Sequence, residues 1–330
     1  MEPAPFLSEL AHAPEDGQTF WLTAQDGVRL RIGVFNRDAP KGTVLLFPGR
    51  TEYVEKYGTA ASYLAAAGYA TIVVDWRGQG LADRLIKDPM AGHVHLFSDY
   101  QLDVAAVVAA ATDLNLPKPW HMLAHSMGGC IGLRALYLGL PVNSVAFSGP
   151  MWGIRIAEPL RPVAWSLSWS SKQLGFSHLY APNTTGDQNY VLKNPFENNK
   201  LTRDAEMYQL MIDQTLAEPA LGLGGPSLRW LNEALRECRE LASLPSPDLP
   251  CFNVVGTKEA VVCLPRIRER MANWPGGHLE WIDGGRHEVL FEGPKVRGRI
   301  FDQITAFFDA HAESAMPGPA PRVAAGGQGR

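Results

Sequence analysis

Ser126 lies in Trp120-His121-Met122-Leu123-Ala124-His125-Ser126-Met127-Gly128-Gly129, between an apolar run and a glycine pair. A serine at a sharp turn from a buried strand into a helix is a nucleophile elbow. The strained turn presents the hydroxyl, and the residues two before and two after must be small. Ala124 and Gly128 meet that requirement, with alanine where glycine is usual. Serine is also a favoured helix N-cap, but strand, small flanks, glycine pair and downstream partners together favour the nucleophile.

A serine hydroxyl is a weak nucleophile at neutral pH and needs a base within hydrogen-bond reach; histidine has the right pKa to take and return the proton. His287 is the candidate, in Ile282-Asp283-Gly284-Gly285-Arg286-His287-Glu288, after the last expected strand and before the final helix. Its competing reading is a surface-loop histidine. The acid that orients the imidazole should fall between serine and histidine in chain order, in a loop after a late strand. Glu259, closing Val255-Gly256-Thr257-Lys258-Glu259, is the first choice. Asp283 is the second, because it lies only four residues before His287 and so shares its loop. Glu259 beside Lys258 could instead be a solvated charge pair.

Charge developing on the carbonyl oxygen needs two backbone N–H donors. Met127 follows the serine, and Arg50 follows the permissive Gly49 in Phe47-Pro48-Gly49-Arg50-Thr51-Glu52. Asp75-Trp76-Arg77-Gly78-Gln79-Gly80 precedes the serine and is assigned to structure, Gly78 and Gly80 shaping a turn. A dinucleotide fingerprint would need a third glycine opening a helix, where Asp83-Arg84 stands instead. His93 and His95 form a His-x-His pair without a supporting ligand and are taken as solvated loop residues.

Elements must position these groups. Residues 19–24 and 28–35 are β-rich and joined by an Asp-Gly turn, which predicts a hairpin. Residues 43–47 and 71–74 are continuous apolar runs closed by turn residues, as buried strands are. Further strands are expected at 120–124, 144–147, 251–255 and 278–282, and helices at 53–67, 99–112, 127–138, 265–272 and 296–312. This alternation predicts an α/β fold with a mostly parallel central sheet covered by helices on both faces. Residues 151–247 lack a clean buried strand and are read as an inserted helical cap, leaving 1–150 and 248–314 as the core. Residues 315–330, rich in Gly, Pro and Ala, are expected to be a disordered tail.

The chain of 330 residues has 30 basic and 34 acidic side chains, a net charge of -4, which gives no electrostatic reason to gather on nucleic acid. Cys130, Cys238, Cys251 and Cys263 show neither zinc-ligand nor disulfide spacing, so reduced thiols are expected. The opening Met1-Glu2-Pro3-Ala4-Pro5-Phe6 has no signal-like pattern, and no later run is apolar enough to span a bilayer. We expect a cytoplasmic protein, able to sit peripherally at the inner membrane.

With these residues in hand, the chain resembles the lysophospholipase and monoacylglycerol lipase group of α/β-hydrolases, most closely the bacterial lysophospholipase L2 type, over about residues 19–312. The likeness rests on the 47–52 loop, the 75–80 loop, His125-Ser126-Met127-Gly128-Gly129 and Gly285-Arg286-His287-Glu288. In the insertion, Asn199-Lys200-Leu201-Thr202 and Gly224-Gly225-Pro226-Ser227-Leu228-Arg229-Trp230 are similar to cap segments of the same group. The chain departs from the group at Ala124, at Arg50, where many lipases carry a small residue, and at Glu259, where most relatives carry aspartate. The resemblance implies Ser126 as nucleophile, His287 as base, Glu259 as orienting acid and Arg50 and Met127 as oxyanion donors, in an α/β-hydrolase fold without cofactor or metal. It implies an acyl-enzyme route on a small-molecule lipid ester, such as a lysophospholipid or monoacylglycerol. A small-molecule carboxylesterase and a catalytically silent binding protein are the alternatives. Leu160, Val163, Trp165, Leu167, Trp169 and Leu174 could touch lipid, but packing inside the cap is the first expectation.

Overall fold

A computed structural model describes residues 1–313; the tail expected at 315–330 lies outside the described residues. The strands are β1 (Glu2–Pro3), β2 (Gln18–Thr23), β3 (Arg29–Phe35), β4 (Thr43–Phe47), β5 (Ala70–Asp75), β6 (Trp120–His125), β7 (Ser144–Ser148), β8 (Cys251–Gly256) and β9 (His278–Ile282). Among the described residues they form one nine-stranded sheet in the order β1-β2-β3-β5-β4-β6-β7-β8-β9. The hairpin side is antiparallel through β3 against β5, and every pairing from β5 to β9 is parallel. β4 to β8 are buried along their whole lengths, which is why they read as unbroken apolar runs rather than as alternations.

The α-helices are α1 (Ser8–Ala11), α2 (Gly58–Ala66), α3 (Tyr100–Asp113), α4 (Met127–Tyr137), α5 (Arg161–Gln173), α6 (Tyr190–Lys193), α7 (Ala205–Ala217), α8 (Leu228–Ser243), α9 (Leu264–Ala272) and α10 (Pro294–Ala310). Leu64 of α2 and Ile300, Phe301, Ile304 and Phe308 of α10 join the core on one face of the sheet. Val107 of α3, Ile131 of α4 and Ile267 of α9 join it on the other. Residues between β7 and β8 contain α5 to α8 and no strand of the sheet. They are not all peripheral: Trp230, Ala234 and Cys238 of α8 enter the first core, and Met207 and Leu210 of α7 enter the second.

Three expectations need correction. The helix expected at 53–67 starts as a 3-10 turn, Val54–Tyr57, whose Val54 N–H donates to Asp75 Oδ1 at 2.8 Å, and becomes α2 only at Gly58. His93 is buried, not solvated: its Nδ1 meets Ser227 Oγ at 2.9 Å, and that hydroxyl accepts from the Trp230 N–H to cap α8. Burial pushes the His93 pKa down to about 4. His95 beside it is exposed, as expected. The third concerns the cap residues: Leu160, Val163, Trp169 and Leu174 face solvent, with Leu174 71% exposed, and only Trp165 and Leu167 are partly covered. The buried positions of α5 are instead Ser168 and Ser171, and Asn232 of α8 donates to Ser168 Oγ at 3.1 Å. The helix thus buries small polar residues most deeply and leaves Val163 and Trp169 exposed.

Under the hairpin lies a buried ion network. Arg31 donates from Nη1 and Nη2 to both oxygens of Glu55, at 2.8 and 2.7 Å, and from Nε to Asp75 Oδ2 at 2.7 Å. Asp75 also accepts from the Leu81 N–H at 2.8 Å. A Cβ on Gly80, which has φ +54, would lie 2.2 Å from the Asp75 carboxyl carbon, so this turn admits only glycine. Replacing Arg31 alone strands two buried carboxylates, and loss of one member of a buried pair costs about 3–5 kcal/mol. Arg31→Leu is expected to lower stability by about that much, measured as a shift in the urea midpoint at unchanged slope.

Candidate active site

Parallel pairing of β4 with β6 sets Phe47 beside Ala124, so the loops leaving these two strands emerge together where the chain reverses direction across the sheet. At the end of β6, Ser126 has φ +48 and ψ -116, a strained conformation for a residue with a side chain. Its N–H donates to Ser148 O at 3.1 Å, pinning the turn to β7. A Cβ on Gly128 would fall 2.1 Å from Phe47 O, so the glycine two residues on lets α4 start against the 47–52 loop.

His287 reaches back from the loop after β9. Its Nε2 is 2.9 Å from Ser126 Oγ and its Nδ1 is 2.6 Å from Glu259 Oε2. The pair passes over Gly149, where an added Cβ would lie 3.4 Å from both Glu259 Oε2 and His287 Nδ1. The other carboxylate oxygen of Glu259 accepts from the Val261 and Val262 N–H groups. Asp283, the second choice for the acid, is exposed and accepts from Thr257 Oγ1 at 3.4 Å. Burial opposes a charged imidazole, yet the charge and hydrogen bond of Glu259, with Glu288 and Glu52 behind, raise the His287 pKa above its ordinary 6.5. Burial would likewise raise Glu259, but His287 and the two backbone N–H groups hold it below the usual carboxylate value.

The 47–52 loop is tethered by the 75–80 loop. Trp76 Nε1 donates to Pro48 O at 2.9 Å, and Gln79 Nε2 donates to Gly49 O at 2.8 Å and Glu52 O at 3.0 Å. Thr51 stands at φ +68, uncommon for a β-branched residue, with its N–H donating to Gln79 Oε1 at 3.3 Å. These ties hold Arg50 beside the elbow. Among the described residues, neither the Arg50 nor the Met127 N–H has an acceptor within the protein.

Sequence reasoning missed the charges beneath this loop. Glu52 Oε2 accepts from the Gly49 N–H and, at 2.6 Å, from the Tyr57 hydroxyl. Lys56 Nζ bridges Glu52 Oε1 at 2.7 Å and Glu288 Oε2 at 2.6 Å. His125 donates from Nδ1 to Ser148 O at 2.8 Å; burial lowers its pKa to about 4, so it is neutral. Glu52, His125 and Glu288 are close enough to share a metal ion, but the Lys56 ammonium already sits between the two carboxylates. Only the adjacency of Glu288 to His287 was a sequence signal for this cluster.

Ser126 and His287 open into a cavity of about 450 Å³ whose walls include Met151, Ile154, Val191, Leu201, Met211 and Trp230. A larger hollow of about 1010 Å³ lies between α5 and α8, but it holds none of these groups. A hydroxyl, an imidazole and a carboxylate in series beside two open N–H donors can carry out nucleophilic acyl transfer.

A profile of the family described as "Serine aminopeptidase, S33" matches residues 38–294. The chain is 31% identical over 302 residues to lysophospholipase L2 of Escherichia coli (strain K12), covering 88% of this chain and 87% of that protein. It is 28% identical to the probable lysophospholipase L2 of Haemophilus influenzae, covering 93% and 96%. Among solved structures, a soluble variant of monoglyceride lipase from Saccharomyces cerevisiae superposes with a TM-score of 0.67 at 19% identity, covering 88% of this chain and 94% of that one.

A raised folded pKa means that the fold favours the protonated imidazole. That contribution to stability is complete below the ordinary 6.5 and is lost as pH rises through the higher folded value. Base catalysis needs the neutral ring, so the acid limb of the kcat/KM profile is expected above pH 6.5. In Glu259→Gln burial is opposed only by the more distant Glu288 and Glu52, and the limb should move to lower pH while kcat falls by about 10³ to 10⁴. A wild-type profile flat to pH 4 would contradict a base role for His287.

Proposed function

This chain belongs to the serine aminopeptidase S33 family of α/β-hydrolases, and from that premise we propose that it cleaves single-chain lipid esters, lysophospholipids or monoacylglycerols, with Ser126, His287 and Glu259 as its catalytic triad. The reading is carried by the Ser126–His287–Glu259 series opening into a cavity of about 450 Å³ with an apolar wall of Met151, Ile154, Val191, Leu201, Met211 and Trp230, a volume suited to one acyl chain. It is supported by the names of the relatives, lysophospholipase L2 above all.

Ser126 Oγ attacks the ester carbonyl as its proton passes to His287 Nε2, and the oxyanion is held by the N–H groups of Arg50 and Met127. Collapse expels the alcohol, which takes the proton back from His287. Water, activated by the same nitrogen, then attacks the acyl-enzyme and releases the fatty acid. Glu259 fixes the ring orientation and stabilises its charged form. Loss of one oxyanion donor costs about 2.7–4 kcal/mol of transition-state stabilisation, which gives the tethering of the 47–52 loop its catalytic value.

Residues 151–247 act in this reading as a lid whose α5 side meets the lipid aggregate. Among the described residues no helix is long and apolar enough to cross a membrane, so contact would be superficial. The exposed Leu160, Val163, Trp169, Leu174 and Leu179 supply apolar side chains for that contact.

Hydrolysis of a panel of long-chain monoacylglycerols, lysophospholipids and short p-nitrophenyl esters tests the activity. Wild-type protein is expected to turn over the lipids, and Ser126→Ala to lose on the order of 10⁶ in kcat. Turnover of short esters alone would make the protein a general carboxylesterase, and an unimpaired variant would end the serine mechanism. For the exposed apolar side chains, Trp169→Ser with Leu174→Ser should weaken binding to phospholipid vesicles by about tenfold or more, with hydrolysis of a soluble short ester retained. Vesicle binding equal to wild type would refute contact through α5.

A further inference from the structure

Five charged side chains line the catalytic cavity besides His287, and they divide unequally. Lys56 is spent between Glu52 and Glu288. Arg50 is not. Its Nη1 donates to Gly224 O at 2.9 Å, and its guanidinium carbon lies 5.6 Å from the centre of the Trp230 ring. Among the described residues it forms no ion pair with a carboxylate. Gly92 leaves room for it, since a Cβ there would come within 3.0 Å of Nη1. Burial lowers the Arg50 pKa to about 10, which leaves it a cation at neutral pH. Of the cations lining this cavity, the second without an ion pair among the described residues is Lys200, exposed at the rim.

A guanidinium drawn from water and given only a carbonyl and an indole face is poorly compensated. Four of its five N–H donors have no hydrogen-bond acceptor among the described residues. A neutral ester leaves that deficit in place, whereas phosphate oxygens meet a planar guanidinium in charge-assisted pairs. The side chain also starts at the residue whose N–H faces the reacting carbonyl, so its charged end lies one arginine length from the ester. That is the scale of the glycerol backbone separating ester from phosphate in a lysophospholipid. We propose that Arg50, with Lys200 at the rim, binds the head-group phosphate and so selects lysophospholipids over monoacylglycerols. The inference rests on the lipid-ester reading above and refines it.

The test compares kcat/KM of the full chain on 1-octanoylglycerol and 1-octanoyl-glycero-3-phosphoethanolamine, both used as monomers so that no aggregate surface contributes. Because the Arg50 N–H is placed in the oxyanion hole, the readout is the ratio between the two substrates, in which any general loss of loop geometry cancels. The ratio is expected to fall about 10- to 100-fold in Arg50→Met, mainly through KM on the phosphate substrate, and to recover partly in Arg50→Lys. On wild-type protein, glycero-3-phosphoethanolamine should inhibit octanoylglycerol hydrolysis competitively, and less well at high salt. An unchanged ratio, equal losses on both substrates, or no inhibition of wild type would overturn the proposal while leaving the lipid-ester reading intact. Wild-type protein that cleaves p-nitrophenyl acetate but neither octanoyl substrate would overturn both.

Discussion

The parallel register of β4 against β6 is the constraint on which the site depends. With Phe47 beside Ala124, the 47–52 loop and the serine turn leave the sheet side by side, and Gly128 can fit only because it has no side chain to strike Phe47 O. A slip of one residue would turn each side chain of β4 to the opposite face and separate the Arg50 and Met127 N–H groups. Because Leu45 and Phe47 are packed into one core and Val44 and Leu46 into the other, such a slip would misfit side chains on both faces.

Around that register the protein uses buried polar groups as fasteners. Asp75 ties β3 to the start of the 3-10 turn through Arg31 and the Val54 N–H, and Glu52 gathers Gly49, Tyr57 and Lys56. Each is desolvated, so each is tolerable only while its partners remain in place. The result is rigidity where the proposed chemistry needs donors held in position before the substrate arrives.

Much of this was legible in the sequence because its signals were local. The runs 43–47 and 278–282 coincide with β4 and β9, and Ser126 was marked by its own strand, flanks and glycines. The position of Glu259 after a late strand favoured it over Asp283, and the structure brings Glu259, not Asp283, against the imidazole. What escaped was non-local or contrary to pattern. Nothing near Lys56 announces Glu288, nothing near His93 announces Ser227, and a two-residue strand such as β1 has no period to detect. The tryptophans of α5 suggested packing because apolar residues usually face inward, whereas here Ser168 and Ser171 take the inner positions.

The histidine loop has a second support that is not part of the sheet. The His287 N–H donates to Lys200 O at 3.2 Å and the Glu288 N–H to Leu201 O at 2.8 Å, while Thr202 Oγ1 donates to Phe291 O at 2.7 Å. The segment bracing the base therefore comes from the same stretch between β7 and β8 that lines the cavity. Elsewhere in that stretch α5 packs closely on α8, where Asn232 donates to Ser168 Oγ at 3.1 Å, Lys172 pairs with Glu233 and Arg239 lies over the Trp165 ring, whereas Lys200 and Leu201 line the cavity itself. A shift of 199–204 would therefore be felt by the imidazole as well as by the cavity wall, so the shape of the entrance and the aim of the base are set by one short stretch of chain.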